Sequence, residues 1–161
     1  DLFDAMQLLK NEPVSLSLLG QPSMPMEFYR KQLAEFAYFP PCSNQKVREM
    51  MRTHDALVLP SIVEGRALVL QEALACGLAI IVTPNAGGED LVEEGITGYL
   101  VPIRSPEKIA WAIRTMIENK NPKEEIRNLC QEKATQYTWA NYAQNIIDFN
   151  LSNFEQGFEI S

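Results

Sequence analysis

Two glutamates, Glu64 and Glu72, stand eight positions apart in "PSIVEGRALVLQEALACG", residues 60–77, with Gly65 and Arg66 directly after the first. Ionised carboxylates only accept hydrogen bonds, which suits hydroxyl ligands, and a vicinal diol offers two donors to one carboxylate. The spacing predicts a helix from about Arg66 to Cys76. Leu68, Leu70, Ala73, Leu74 and Ala75 give it a broad apolar surface, and Gly77 stands at the C′ position. The unpaired N–H groups and the dipole at its start attract a phosphate, and Gly65 lets that backbone come close. Glu72 then lies roughly two turns in, about 9 Å along the axis at 1.5 Å per residue, too far from Glu64 for a shared proton or metal. An elongated ligand can instead meet Glu64 at one end, the helix amides in the middle and Glu72 farther along. Diol, diphosphate and sugar together describe a nucleotide sugar.

The elements that must position these residues alternate along the chain. An amphipathic opening helix carries Leu2, Phe3, Met6, Leu8 and Leu9, and "VSLSLLG" (Val14 to Gly20) is the first strand. "MEFYRKQLAEF" is a helix, "FAYFPP" a short second strand stopped by prolines, and "NQKVREMMRTH" a helix leading into the buried strand "DALVLPS". After the Glu72 helix come the strand "LAIIVTP", a Gly-Gly turn with a short acidic helix in "NAGGEDLVEEG", and a fifth strand in "GYLVP". "SPEKIAWAIRTMIEN" begins with Ser105 as N-cap and Pro106 at the first helical position. "NPKEEIRNLCQEKATQY" repeats that device with Asn121, Pro122 and Glu124 at the capping-box position. A last helix in "TWANYAQNIIDFN" sets Trp139, Tyr142, Ala143, Ile146 and Ile147 on one stripe for packing, and the tail from Leu151 has no pattern. The alternation implies an α/β protein, a three-layer α/β/α sandwich with a mainly parallel sheet and right-handed crossovers. In such sheets ligands bind outside the carboxyl ends of the strands, so the loops after "DALVLP" and "AIIVT" are the ones to examine.

With 161 residues and 46% hydrophobic content the chain has the size of one domain with a full core. Lys and Arg number 14 against 21 Asp and Glu, a formal charge of -7, so a generic nucleic-acid binder is excluded and any phosphate must be bound locally. Cys42, Cys76 and Cys130 form no CxxC pair, which argues for neither a disulfide framework nor a zinc site and fits a reducing cytoplasm. No apolar run is long enough to cross a membrane, and the N-terminus carries no signal-peptide pattern. The chain opens inside a helix pattern at Asp1, and a fragment whose first strand precedes it is expected. Gly87 and Gly88 serve as a turn or as a secondary ligand contact. His54 reads as a surface or cap residue because no Ser, Cys or metal-ligand constellation surrounds it. Glu93 to Gly95 read as a solvated helix end, and Arg104 and Lys108 as surface charges.

The run "DALVLPSIVEGRALVLQEALACGLAIIVTPNAGGEDLVEEGITGYLVP" resembles the C-terminal half of the retaining GT-B glycosyltransferases of the glycosyltransferase 4 type. The resemblance rests on a strand ending in Pro-Ser, Glu-Gly with a second Glu eight residues after the first, "EALACG", the Gly-Gly turn and "EGITGYLVP", in that order. It extends from about Val14 to the C-terminal helices and implies a Rossmann-like donor-binding domain over residues 1–161. The acceptor-binding domain would lie elsewhere in the same polypeptide. It further implies that Glu64 contacts donor-sugar hydroxyls, with the catalytic role assigned to it, and that Glu72 holds the ribose. The amides of Arg66, Ala67 and Leu68 would face the diphosphate, with Gly65 beside them. Phe39 and Pro40, in the loop running to Cys42, would approach the base, and Gly87 and Gly88 would add secondary contacts. The implied chemistry is sugar transfer from a nucleoside diphosphate donor to a hydroxyl acceptor with retention. The leaving group would be stabilised by helix amides and basic residues, with no cofactor and no obligatory metal. A role in polysaccharide or glycoconjugate synthesis, with peripheral membrane association of the full-length enzyme, belongs to the same expectation. Two residues depart from the family pattern: Arg66 stands where an aromatic residue is usual, and Ala67 where glycine or proline is frequent. The rival readings are another GT-B enzyme, such as a nucleotide-sugar epimerase or a glycogen-synthase-like polymerase, and a non-catalytic α/β module. The family's diphosphate-neutralising Arg and Lys would precede Asp1, so this chain alone is expected to bind donor weakly without turnover.

Overall fold

The computed structural model describes residues 1–148 except 66, 139, 142 and 145. Arg66, Trp139, Tyr142 and the tail from residue 149 onward therefore lie outside the described residues, together with part of the last expected helix.

β3 (Ala56–Leu59), β4 (Ala79–Val82) and β5 (Gly98–Leu100) form a parallel sheet in that order, with Leu57 opposite Ile80 and Ile81 opposite Tyr99. β1 (Ser17–Leu19) and β2 (Ala37–Phe39) pair in parallel as a separate two-stranded sheet. All five expected strands are present and all pairings are parallel; the hydrogen-bonded ladder is divided in two. β4 shows why a run such as "AIIV" carries no alternation. All four of its residues are buried, because both faces of the strand are covered.

Ile80 and Val82 point into a core shared with α4 (Leu68–Ala75) and α6 (Lys123–Thr135), through Leu70, Ala73, Leu74 and Cys130. Ile81 points the other way, into a core shared with α1 (Leu2–Leu8) and α5 (Pro106–Glu118), through Ala5, Ile109 and Ala112. This is the three-layer arrangement that βα alternation implies. α2 (Met26–Gln32) flanks the two-stranded sheet, and α3 (Asn44–Met51) starts on Ser43, whose Oγ accepts from the Lys46 amide.

α4 stops where the sequence indicates. The Gly77 amide donates to Leu74 O at 2.9 Å and the Leu78 amide to Ala73 O at 3.0 Å, the two bonds of a Schellman motif. Three local expectations are corrected. The acidic helix expected before β5 is two single 3-10 turns, Pro84–Ala86 and Glu89–Leu91, interrupted by Gly87 at φ 67°. α6 is preceded by Pro122 as N-cap, not Asn121, because the Asn121 amide is turned back onto Asn119 Oδ1 at 2.9 Å. Glu93 is not merely solvated: Lys133 Nζ reaches its Oε1 at 2.8 Å, and that hydrogen bond raises the lysine pKa. Among the described residues no helix is long and apolar enough to cross a membrane.

Candidate functional site

β3 and β4 are neighbours in the sheet, so the loops leaving their carboxyl ends run side by side, and a series of hydrogen bonds joins them. The Thr83 hydroxyl donates to Ser61 O. Asn85 Nδ2 donates to Ile62 O at 2.7 Å, while the Glu64 amide donates to Asn85 O at 3.1 Å. The Ala67 amide donates to Ala86 O at 3.3 Å. Residues 61–67 are thus held against residues 83–86 at four points. Ser, Thr and Asn directly after strands are the residue types that satisfy loop backbone in this way. That composition was the signal in the sequence for Thr83 and Asn85, which the motif reading passed over, and for the bonding of Ser61, which it used only as the end of a strand.

Glu64 is exposed on this platform, and Ser61 Oγ donates to its Oε2 at 2.7 Å. Its other carboxylate oxygen has no hydrogen-bond partner among the described residues. Gly65 is exposed, with open space where a side chain would stand. α4 begins at Leu68, two residues later than expected, with Ala67 as N-cap and no side-chain cap. Ala67 is buried and its amide is taken by Ala86, which corrects the expectation that this N–H faces a ligand. The N–H groups of Leu68 and Val69 have no acceptor among the described residues, and the Leu68 side chain is exposed. These two amides are what the helix start offers an anion.

Glu72 is exposed on α4, four residues after the first helical residue, about 6 Å along the axis at 1.5 Å per residue. Its carboxylate carries no hydrogen bond among the described residues. Gly87 and Gly88 lie next to this platform, and both have structural reasons to be glycine. The first has the left-handed φ quoted above, and the second lies so close to α4 that a Cβ would meet Leu70 Cδ1 at 2.5 Å. Phe39 and Pro40 are on the other sheet. Phe39 ends β2, and its carbonyl accepts from the Gly20 amide at 3.1 Å beside a cavity of about 160 Å³ lined by Leu18, Leu19, Tyr29 and Tyr38. The Ser23 hydroxyl, hydrogen-bonded to Tyr29, lowers the pKa of that phenol. Glu64, Gly65, Leu68, Glu72 and the Gly-Gly turn therefore share one end of the three-stranded sheet, and Phe39 and Pro40 join the two-stranded one. Among the described residues no group of three or more His, Cys, Asp and Glu is placed to hold a metal.

His54 belongs to neither end. Its Nδ1 lies 2.7 Å from Met50 O at the end of α3, so this nitrogen carries the proton, and its Nε2 lies 2.8 Å from Ser17 Oγ on β1. It caps a helix, one of the roles its place in the sequence indicates, and it also bridges to β1, which the sequence did not show.

Parallel strands, covered faces and a two-loop platform ahead of a helix N-terminus define a Rossmann-like domain. Residues 1–137 match the family of glycosyl transferases group 1, and the chain belongs to that family. The D-inositol 3-phosphate glycosyltransferase of Jonesia denitrificans is 27% identical over 160 residues, covering 91% of this chain and 38% of the relative. Among solved structures, Anabaena HepE in complex with UDP superposes with a TM-score of 0.75 at 22% identity, covering 94% of this chain and 44% of that one. The C-terminal domain of the glycosyl transferase group 1 protein LpcC from Francisella tularensis gives 0.68 at 20% identity, covering 84% and 75%. This chain thus spans less than half the length of the first two proteins.

Proposed function

We propose that these residues form the donor site of a retaining glycosyltransferase that moves a sugar from a nucleoside diphosphate to a hydroxyl acceptor, in polysaccharide or glycoconjugate synthesis. The observation that carries the reading is the run from Glu64 through the Leu68 and Val69 amides, which have no acceptor among the described residues, to Glu72, on a platform built by two strand-end loops. A carboxylate suits sugar hydroxyls at one end and the ribose diol at the other, and amides at a helix start suit the diphosphate between them. HepE, whose fold this chain shares, has been solved with UDP and with UDP-glucose, which supports a nucleotide-sugar ligand.

In this reading the leaving diphosphate is stabilised by amides and basic residues, with no obligatory metal and no cofactor. The acceptor is bound by a further domain of a longer polypeptide, so this chain binds donor without turning it over. The three cysteines are all free, in keeping with a cytoplasmic setting. Calorimetry of the chain with UDP, GDP and ADP, each with and without EDTA, tests the proposal. One diphosphate is expected to bind, with chelator making no difference. Binding of none would remove the donor site and leave a non-catalytic α/β module; dependence on a divalent ion would overturn the metal-free arrangement.

A further inference from the structure

The carboxylate at the sugar end is held in place by more than its own side-chain preferences. Ser61, Ile62 and Glu64 form an arc fixed from the neighbouring loop: Thr83 holds the first carbonyl, Asn85 Nδ2 the second, and the Asn85 carbonyl takes the Glu64 amide. Thr83 is fully buried, so that anchor is rigid, whereas Val63 inside the arc is 88% exposed and contributes no packing. Hydrogen bonds therefore set the path of this segment. The arc then closes on itself, with Ser61 Oγ donating to Glu64 Oε2 at 2.7 Å.

We propose that Ser61 is a positioning residue that sets how tightly the sugar moiety is recognised, because its hydroxyl, carried on the arc fixed by Thr83 and Asn85, holds one oxygen of Glu64. Among the described residues nothing pairs with the other oxygen, which can then meet ligand hydroxyls. An exposed glutamate samples several rotamers in water, and a charge-assisted bond to a fixed hydroxyl narrows that set before the ligand arrives. Ser61 acts through Glu64 and has no direct contact with the diphosphate amides of Leu68 and Val69. Its effect falls on the sugar and not on the nucleotide. The inference rests on the reading of Glu64 as the sugar end of the donor site.

The test compares a nucleoside diphosphate with the same diphosphate bearing its sugar, by calorimetry on this chain. Ser61→Ala is expected to weaken the sugar nucleotide about tenfold, in line with loss of a bond to a charged group, and to leave the bare diphosphate within about twofold. Ser61→Thr, which keeps the hydroxyl, restores the wild-type ratio. In a Glu64→Ala background, Ser61→Ala adds nothing, because the residue through which it acts is gone. Should Ser61→Ala not fold, Ser61→Cys keeps nearly the same volume with a far poorer donor and carries the same comparison. Equal weakening of both ligands, or an additive loss in the Glu64→Ala background, overturns the inference and leaves Ser61 a structural residue. If the wild-type chain binds neither ligand, the donor-site reading itself falls, and this inference with it.

Discussion

Glu72 and Cys130 lie on helices packed against the same face of the sheet, the first exposed on α4 and the second buried on α6, and each makes a testable demand. If Glu72 grips a ribose diol, the grip needs two hydroxyls, so a 2′-deoxyribonucleoside diphosphate should bind the wild-type chain about tenfold more weakly than its ribo form. Glu72→Ala should bring the two ligands to the same affinity, and competition calorimetry reads this directly. A difference that survives the substitution would assign the ribose to another residue. Cys130 is fully buried, and desolvation pushes its thiol pKa up to about 11, with Arg127 opposing that in part. An unfolded thiol ionises near 9.0, whereas the folded one keeps its proton to about 11. Between those values the folded state binds the extra proton, so stability falls as pH rises through the window, by up to about 2–3 kcal/mol from this group. Urea titrations at pH 8 and pH 10.5 measure the loss. Cys130→Ala should flatten it while lowering the baseline through the cavity it leaves.

At the scale of elements, β5 shows how a single glycine position decides a pairing. A Cβ at Gly98 would run into the backbone carbonyl of Ile80, at a fully buried residue in the centre of β4 whose amide is already bonded to Thr97 O. No side-chain rotation relieves a clash with backbone, so Gly98→Ala is expected to cost more than about 3 kcal/mol by overpacking and to separate β5 from β4. Gly65→Ala is the control. It has open space where its Cβ would stand and should melt within about 0.5 kcal/mol of wild type, the range of ordinary surface changes. Differential scanning calorimetry separates the two. The strands themselves were readable from apolar runs bounded by Gly and Pro, because burial and turn chemistry are written locally. Helix starts were less readable: Ala67 has an extended backbone at φ -74°, ψ 103°, so α4 begins at Leu68, and the Asn121 amide folds back onto Asn119, with Pro122 at the α6 N-cap. The Glu64 and Glu72 spacing was legible as a motif. The platform under Glu64 was not, since its bonds join residues about twenty positions apart and depend on β3 and β4 being neighbours.

Across the whole molecule, the two sheets have to be held together without a shared ladder. Among the described residues, bridges on opposite sides contribute to this. From α1, Phe3 stacks on Phe36 at 5.6 Å and meets Tyr29 edge-on at 6.1 Å, while Gln7 Nε2 donates to Gln32 O at 2.9 Å. From the end of α3, His54 joins Met50 O to Ser17 Oγ, and its own carbonyl accepts from Arg127 on α6 at 2.7 Å. The first bridge is chiefly a hydrophobic and aromatic contact that tolerates small displacements; the second is a chain of directional bonds from β1 to the α6 side of the larger sheet. His54→Ala removes the link to Ser17 and uncaps α3, and leaves the backbone contact with Arg127 in place. Residues 14–39 then lose one of the bridges named above, whereas β3, β4 and β5 keep their ladder and both cores. Hydrogen exchange should therefore quicken in β1 and β2 by about tenfold, the equivalent of 1.4 kcal/mol in local opening, with protection in β4 unchanged. Phe3→Ala should act on the same segment by loosening the opposite side. A uniform rise in exchange across β1 to β5 after His54→Ala would show instead that the two sheets open as one unit. Phe39, whose carbonyl pairs with Gly20 at the end of this lobe, would then move only with the platform that carries Glu64.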